Sequence, residues 1–454
     1  MAILTSADAR RARPFFAAHN KWLIFWAAFV VRVLYITFAH TYHIRAFQDH
    51  FQFGWEMGRV ARALATGYGF ADPFVGHTGP TAWVPPLYPL LLAGVFRLFG
   101  VYTALSAWVI LTINSVFSAA TAPLIYKIAA RCYNRKVAVW SAWIWALYPA
   151  AMQYAVRWVW EMSLTAFLFA CVLVLALKMR GILPRESRPV RGDDFAAERV
   201  RQTTVQWLLF GLLWGLIALC NPTLLLFLPV CGIWILRGAR PLRAGFKNAT
   251  LAALLFVAIL APWALRNWRV FHAFVPIRTN LGVELWAWNN SGANGIALGA
   301  PIQPSLHDPS FVPYLKMGEI AYSKYRGAIA KHWIATHPKR FLVLSLKRFY
   351  FYWVSVPHPL DNHPLVEYGR VLNYFFLSLT GILGLLLSLR RRVAAAGLFA
   401  WAFVLLPFTY YFVSVAARFR HPLEPLIAIF TVYLFQSAEH KRKSRPAGKV
   451  SSRS

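Results

Sequence analysis

The chain has 454 residues, of which 58% are hydrophobic and only 14% charged, where an average soluble domain carries about a quarter charged residues. So little charge excludes an ordinary water-soluble globule and points to one membrane body with inserted loops. The formal net charge of +32 does not make it a nucleic-acid binder, because the basic residues sit in short clusters between apolar runs, the pattern that fixes orientation across a bilayer with Lys and Arg on the cytoplasmic side.

The first cluster, Arg10, Arg11, Arg13 and Lys21, precedes an apolar run over 22–39. That run carries Arg32 and has no small-residue cleavage site after it, so it reads as a retained first helix. A long segment, 40–86, follows on the side opposite the basic cluster. It contains Asp49 and His50. A carboxylate about ten residues beyond a membrane helix can sit at the membrane surface and take a proton from a hydroxyl, a contribution of roughly 10²–10⁴-fold to a reaction. His50 beside it is a candidate substrate contact. Further on, Gly67-Tyr68-Gly69-Phe70 is not a nucleotide loop, since no strand precedes it. The run from Pro80 to Pro89 reads as a rigid entry into a helix, with Tyr88 placed to touch a substrate.

The next apolar run, 87–100, reaches roughly 21 Å as a helix, short of the ~30 Å hydrocarbon core, and is expected to be partial or re-entrant. Spanning-length runs follow at 102–128, 137–155, 160–178, 205–220, 222–236, 249–265, 371–388, 393–414 and 425–437. The basic N-terminus and basic tail both belong in the cytoplasm, which requires an even number of crossings. Ten crossings satisfy this, and eleven apolar runs are visible. The expected architecture is an all-α polytopic bundle of about 10–11 transmembrane helices. It divides into an N-terminal module over 1–265, a large extracytoplasmic segment over 266–370, and C-terminal helices with a basic tail over 371–454. The segment 179–204, rich in Arg, Pro, Asp and Glu, reads as a cytoplasmic linker. The segment 266–370 is too long for a connector and is expected to form, with 40–86, a small α-rich cap. Cys132, Cys171, Cys220 and Cys231 form no CxxC pair and read as buried small hydrophobes.

Three groups inside this frame can carry chemistry. Glu161 follows Arg157-Trp158-Val159-Trp160 and opens an apolar helix. An acid there is either a helix-start charge favoured by the macrodipole or a second active-site acid. Arg266, then Arg278 and Asn280, open the large segment. Arg418-Phe419-Arg420-His421-Pro422 precedes the last run. Arginine clusters on the side away from the cytoplasm run against the positive-inside bias. Guanidinium groups bind phosphate oxygens in pairs, so Arg266, Arg278, Arg418 and Arg420 are candidates for a lipid phosphate, with snorkelling to ordinary headgroups as the alternative. Asn280 is a further candidate substrate contact.

Taken in order, the helix with Arg32, the loop with Asp49, Gly67–Phe70, Pro80–Pro89, Pro262-Trp263 with Arg266-Asn267, Arg278-Thr279-Asn280 and Arg418–Pro425 resemble the GT-C superfamily of membrane glycosyltransferases. The resemblance covers nearly the whole chain and is nearest to the branch of protein O-mannosyltransferases and aminoarabinose lipid A transferases (glycosyltransferase family 39-like). It implies a GT-C-like bundle, a polyprenyl-phosphate sugar donor, and a lipid, glycan or protein acceptor at the extracytoplasmic face, which in a bacterium means the plasma (inner) membrane. It also implies Asp49 as catalytic base and Glu161 as second acid. Many members carry an acidic pair in the first loop; here His50 follows Asp49, which weakens the case for a divalent metal, and no other cofactor is expected. Many carry a basic residue before the double proline; here it is Val84, so the arginines must substitute. The expectation is an inverting transferase. The rival reading is a secondary transporter or lipid flippase, which would place its polar residues and broken helices near the midplane.

Overall fold

The computed structural model describes residues 21–44, 53–184, 201–296, 311–356 and 364–443. Asp49, His50 and most of the 179–204 linker lie outside them. Among the described residues the protein is all-α, with one isolated bridge between Ala71 and Pro80. In chain order the helices are α1 (Lys21–Phe38), α2 (Glu56–Ala65), α3 (Leu87–Phe99), α4 (Ala104–Cys132), α5 (Arg135–Leu147), α6 (Pro149–Val156), α7 (Met162–Met179), α8 (Thr204–Ala218), α9 (Leu228–Leu236), α10 (Leu242–Phe271), α11 (Leu281–Trp288), α12 (Phe311–Met317), α13 (Glu319–Thr336), α14 (Pro338–Val354), α15 (Pro364–Arg390), α16 (Ala396–Phe412) and α17 (Glu424–Lys443). Two 3₁₀ turns, Pro222–Phe227 and Ala417–Leu423, lead into α9 and α17.

Among the described residues, α1, α4, α7, α10 and α15 are long and apolar enough to cross a bilayer, and α3, α8, α16 and the Pro222–Leu236 stretch are shorter apolar helices. The chain is an integral, multi-pass membrane protein. Helix starts follow from sequence. The Thr103 hydroxyl accepts from the Ser106 N–H at α4 and Asn134 from the Val137 N–H at α5, while Thr203 and Gln206 form a capping box at α8, each satisfying donors that the first turn leaves free. The run 137–155, expected as one crossing, is broken in two. Pro149 has no N–H to continue the ladder, so α5 ends before Tyr148 and α6 begins with the proline at its first position. Conversely, α10 and α15 start at Leu242 and Pro364, ahead of their apolar runs, because polar flanking residues continue the helix beyond the hydrocarbon.

The bundle is held by α1 on α4, α4 on α5 and α7, α8 on α10, and α15 on α17. Gly384 permits the last of these, since a Cβ there would run into the Phe430 carbonyl oxygen, as expected where membrane helices approach closely through small residues. Arg32, fully buried in α1, is a structural charge. It donates to Ser118 Oγ at 3.1 Å and to the carbonyls of Ala28, Ala146 and Trp145 at 2.9, 2.8 and 3.2 Å, which offsets its loss of water.

The two expected cap segments do meet. Val60, Phe70, Phe74, Trp83 and Val84 from the first pack with Val275, Val283, Tyr314 and Tyr322 from the second and with Trp263 at the end of α10. Glu319, 5% exposed, fastens them. Its carboxylate accepts from Thr81 Oγ1 at 2.5 Å, the Ala82 N–H at 2.8 Å and Thr279 Oγ1 at 2.5 Å. Burial still pushes this carboxyl above the usual range, against those donors. Its contribution to stability is therefore greatest below the ordinary carboxylate value and falls as pH rises through the raised one. Glu319→Ala is expected to leave buried donors orphaned at about 1–3 kcal/mol each and to lower the unfolding temperature of the detergent-purified protein. Glu319→Gln should cost less, and an unchanged melting temperature in the alanine variant would show that the cap does not depend on this lock.

Candidate functional site

The site is built around Glu161, which stands immediately before α7 and is 8% exposed. The residues leading to it form a short irregular bridge from α6 in which Trp158 and Trp160 stack, ring centroids 4.8 Å apart and planes 6° from parallel. Thr41 and Gly54 both lie against the chain that leads to Glu161. On one side Thr41 Oγ1 donates to the Val156 carbonyl at 2.6 Å. On the other, Gly54 sits at φ +93° so close to Val159 that a Cβ would lie 2.5 Å from the Val159 carbonyl oxygen. Only glycine fits both the left-handed backbone and that approach.

Two arginines bear on Glu161. The charges of Arg418 and Arg278 both act on its carboxylate, although Arg418 is distant in sequence and Arg278 belongs to the cap. Each is half-buried, and among the described residues neither makes a hydrogen bond or ion pair. Arg418, in the 3₁₀ turn before α17, lies over the Trp160 ring with its guanidinium carbon 4.2 Å from the ring centroid, and 5.1 Å from that of Phe419. Phe419 in turn stacks on Tyr410 at 4.3 Å and 8°. The Tyr410 hydroxyl is 2.7 Å from Thr223 Oγ1, which donates to Asn221 Oδ1 at 2.5 Å.

The cap adds two acids that the sequence reading did not single out. Glu284, on α11, accepts from Trp288 Nε1 at 3.3 Å and from Asn280 Nδ2 at 3.4 Å. Burial pushes its carboxyl up; the negative charge of Glu56 adds to the rise, while Arg278 and Arg418 oppose it. Glu56, at the start of α2, also acts on Glu161. With only 16 acidic residues in the chain, each acid of the two cap segments was worth following; what the sequence lacks is any local pattern that ties Glu56 or Glu284 to Glu161. The side-chain amide oxygen of Asn280 (Oδ1) is buried without a partner among the described residues, an acceptor suited to a ligand hydroxyl. Among the described residues no three His, Cys, Asp or Glu side chains gather as metal ligands.

Of the residues expected at the site, Arg278 and Arg418 act on Glu161 through their charges, and Asn280 stands at the start of α11, two residues from Arg278. Arg266 is spent on architecture: it donates to the carbonyls of Thr81 and Phe70, both at 2.6 Å, and lies among the rings of Phe70, Trp263 and Phe271. Tyr88 is 1% exposed and hydrogen-bonded to Asn114, with Glu161 close enough for its charge to act on the hydroxyl. Arg420 points into the bundle. It is fully buried, 3.2 Å from the Tyr374 ring centroid, bonded to Ser378 Oγ and the Tyr374 carbonyl, and paired with Glu424 at 3.4 Å. Asp49 and His50 lie outside the described residues.

No family model matches the sequence, and no curated protein matches it. The folded chain does resemble solved membrane enzymes. The archaeal oligosaccharyltransferase AglB of Archaeoglobus fulgidus, in complex with an inhibitory peptide and a dolichol-phosphate, superposes over 94% of this chain and 51% of its own, with 15% identity and a TM-score of 0.51. The apo form of the Archaeoglobus fulgidus oligosaccharyltransferase does so over the same shares, with 14% identity and a TM-score of 0.51. ArnT from Cupriavidus metallidurans, in the apo state, aligns over 89% of this chain and 75% of its own with 16% identity and a TM-score of 0.36. The chain thus spans about half the length of the oligosaccharyltransferase it matches. Its helices, connected and packed in this order, share the fold of the matched half of that oligosaccharyltransferase.

Proposed function

We propose that this protein is an inverting membrane glycosyltransferase that moves a sugar from a polyprenyl-phosphate donor to a hydroxyl of a lipid, glycan or protein acceptor. The observation that carries the reading is the pair of half-buried arginines, Arg278 and Arg418, which make no hydrogen bond or ion pair with any described residue and whose charges both act on the buried Glu161. Unpaired guanidinium groups in so enclosed a place are costly unless an anion completes them. A phosphate monoester or diester matches their geometry. The likeness in fold to an oligosaccharyltransferase solved with a dolichol-phosphate supports a lipid-borne anion.

In this mechanism the donor phosphate lies between Arg278 and Arg418. Asp49 takes the proton from the acceptor hydroxyl as its oxygen attacks C1 of the sugar. The C1–phosphate oxygen bond breaks, and the polyprenyl phosphate leaves with the bonding electrons. The arginines stabilise the charge that gathers on the leaving phosphate, as fixed donors should. A single displacement inverts C1. Glu161 and the side-chain amide oxygen of Asn280 then hold sugar or acceptor hydroxyls, with His50 and Tyr88 as further contacts. Arg266 keeps Thr81 and Phe70 in place beside the site rather than meeting the phosphate itself. The basic N-terminus and tail orient the cap, and with it the chemistry, to the extracytoplasmic face of a plasma (inner) membrane.

The test is direct. The purified protein in lipid nanodiscs is incubated with a panel of polyprenyl-phosphate sugars labelled in the sugar, and transfer or hydrolysis is scored. Release of label from at least one donor, lost in Arg278→Ala and Arg418→Ala, is expected. Release from none across the panel rejects the reading.

A further inference from the structure

Arg418 is held in an unusual way for a cation that must meet a ligand. Its guanidinium carbon is 4.2 Å from the Trp160 ring centroid and 5.1 Å from that of Phe419. Behind Trp160 lies Trp158, stacked at 4.8 Å; beside Phe419 lies Tyr410, stacked at 4.3 Å. The aromatic assembly therefore runs from Trp158 through Trp160 and the guanidinium to Phe419 and Tyr410. No hydrogen bond from any described residue reaches Arg418. A guanidinium group held over ring faces, with no N–H taken by a described residue, keeps its N–H groups for something else.

The backbone confirms that this is a mount and not a chance contact. Trp160 is the residue before Glu161, in a bridge that follows the Thr41-bonded end of α6 and against which Gly54 packs closely at Val159. Arg418 lies in a 3₁₀ turn whose other side is bolted into the bundle through Arg420, Tyr374, Ser378 and Glu424. The cation and its platform thus come from two anchored pieces of chain that meet only through the rings.

We infer that Trp160 is a positioning residue for Arg418: its indole face holds the guanidinium flat, so that the N–H edge is set in advance for a phosphate oxygen. A long, flexible side chain normally loses rotamer freedom when it binds, and holding it beforehand removes that loss from the binding step. The inference rests on the reading of a phosphate-bearing donor, and it adds a role to a residue that touches neither phosphate nor sugar.

The experiment uses the full chain in nanodiscs and two probes, dolichyl phosphate and unphosphorylated dolichol, with affinities measured by displacement of a labelled dolichyl phosphate. Wild type is expected to prefer the phosphorylated lipid. Trp160→Ala should lose about tenfold in affinity for dolichyl phosphate, the scale of a desolvated cation–ring contact, with dolichol binding and melting temperature unchanged. Trp160→Phe, which keeps a ring face, should retain most of the preference. Arg418→Ala should lose it, and Trp160→Ala added to Arg418→Ala should cost nothing more. Undiminished preference in Trp160→Ala, or losses that simply add in the double variant, would overturn the inference while leaving the donor reading intact. A wild type that binds both lipids equally would instead remove the donor reading, and this inference with it.

Discussion

Asp49→Asn is expected to cut sugar transfer by at least about a hundredfold, the lower range of what a positioned general base supplies, while expression, membrane insertion and melting temperature stay at wild-type values. Asparagine keeps the shape and the hydrogen-bonding reach of the side chain but cannot take a proton. The acceptor hydroxyl then has to lose its proton without a positioned acceptor. Glu161→Gln is expected to reduce transfer too, with a different signature. Removing its charge leaves Arg278 and Arg418 without their shared counter-charge. Donor phosphate should then bind at least as tightly as before, since one competitor for the arginines is gone, while turnover falls. Initial rates with a labelled donor, together with carrier affinity, separate the two variants. Full turnover in Asp49→Asn would take this carboxylate out of the mechanism.

The second large effect is on stability. Arg420 and Glu424 are 0% and 5% exposed, and their N–O separation is 3.4 Å. The other Glu424 oxygen lies 3.1 Å from His421 Nδ1. Arg420→Met is expected to cost about 3–5 kcal/mol, because it strands the Glu424 carboxylate in an apolar interior. Arg420→Met combined with Glu424→Leu should recover most of that loss, since no buried charge is left over and apolar groups of similar size replace the pair. Thermal unfolding of the four proteins closes the cycle. If Arg420 instead met the donor phosphate, Arg420→Met would lose carrier affinity with its melting temperature unchanged.

Arg418 and Arg420 also show where sequence reading stops. Two residues apart in one basic run, they look equivalent as phosphate ligands. A 3₁₀ helix turns about 120° per residue, so residues two apart point in different directions, and only the fold decides which one faces the bundle. The helices themselves were largely legible, because run length and apolar composition dictate where a chain can sit in a bilayer. The exceptions have local causes: Pro149 splits the 137–155 run, and the polar leads of α10 and α15 are helical without being apolar. The cap was legible as a place but not as a set of contacts. Glu161, Arg278 and Arg418 could be nominated one at a time for their chemistry. Glu56 and Glu284 could not, since an isolated acid carries no mark until folding brings it near a partner.

The helix α10 has a mechanical consequence. It is 30 residues long, and only 17% of its apolar window is buried inside the protein, so lipid surrounds most of it. Its far end holds Trp263, Arg266 and Asn267, whose bonds to Ile277, Thr81, Phe70 and Val275 tie it to the cap. A bilayer thinner than the helix prefers makes it tilt, at a cost of fractions of a kcal/mol per Å of mismatch. That tilt reaches Thr81 and Phe70 through rigid side chains. Acyl-chain length in the surrounding membrane is thereby expected to bear on the set of the loops that hold Thr81 and Phe70.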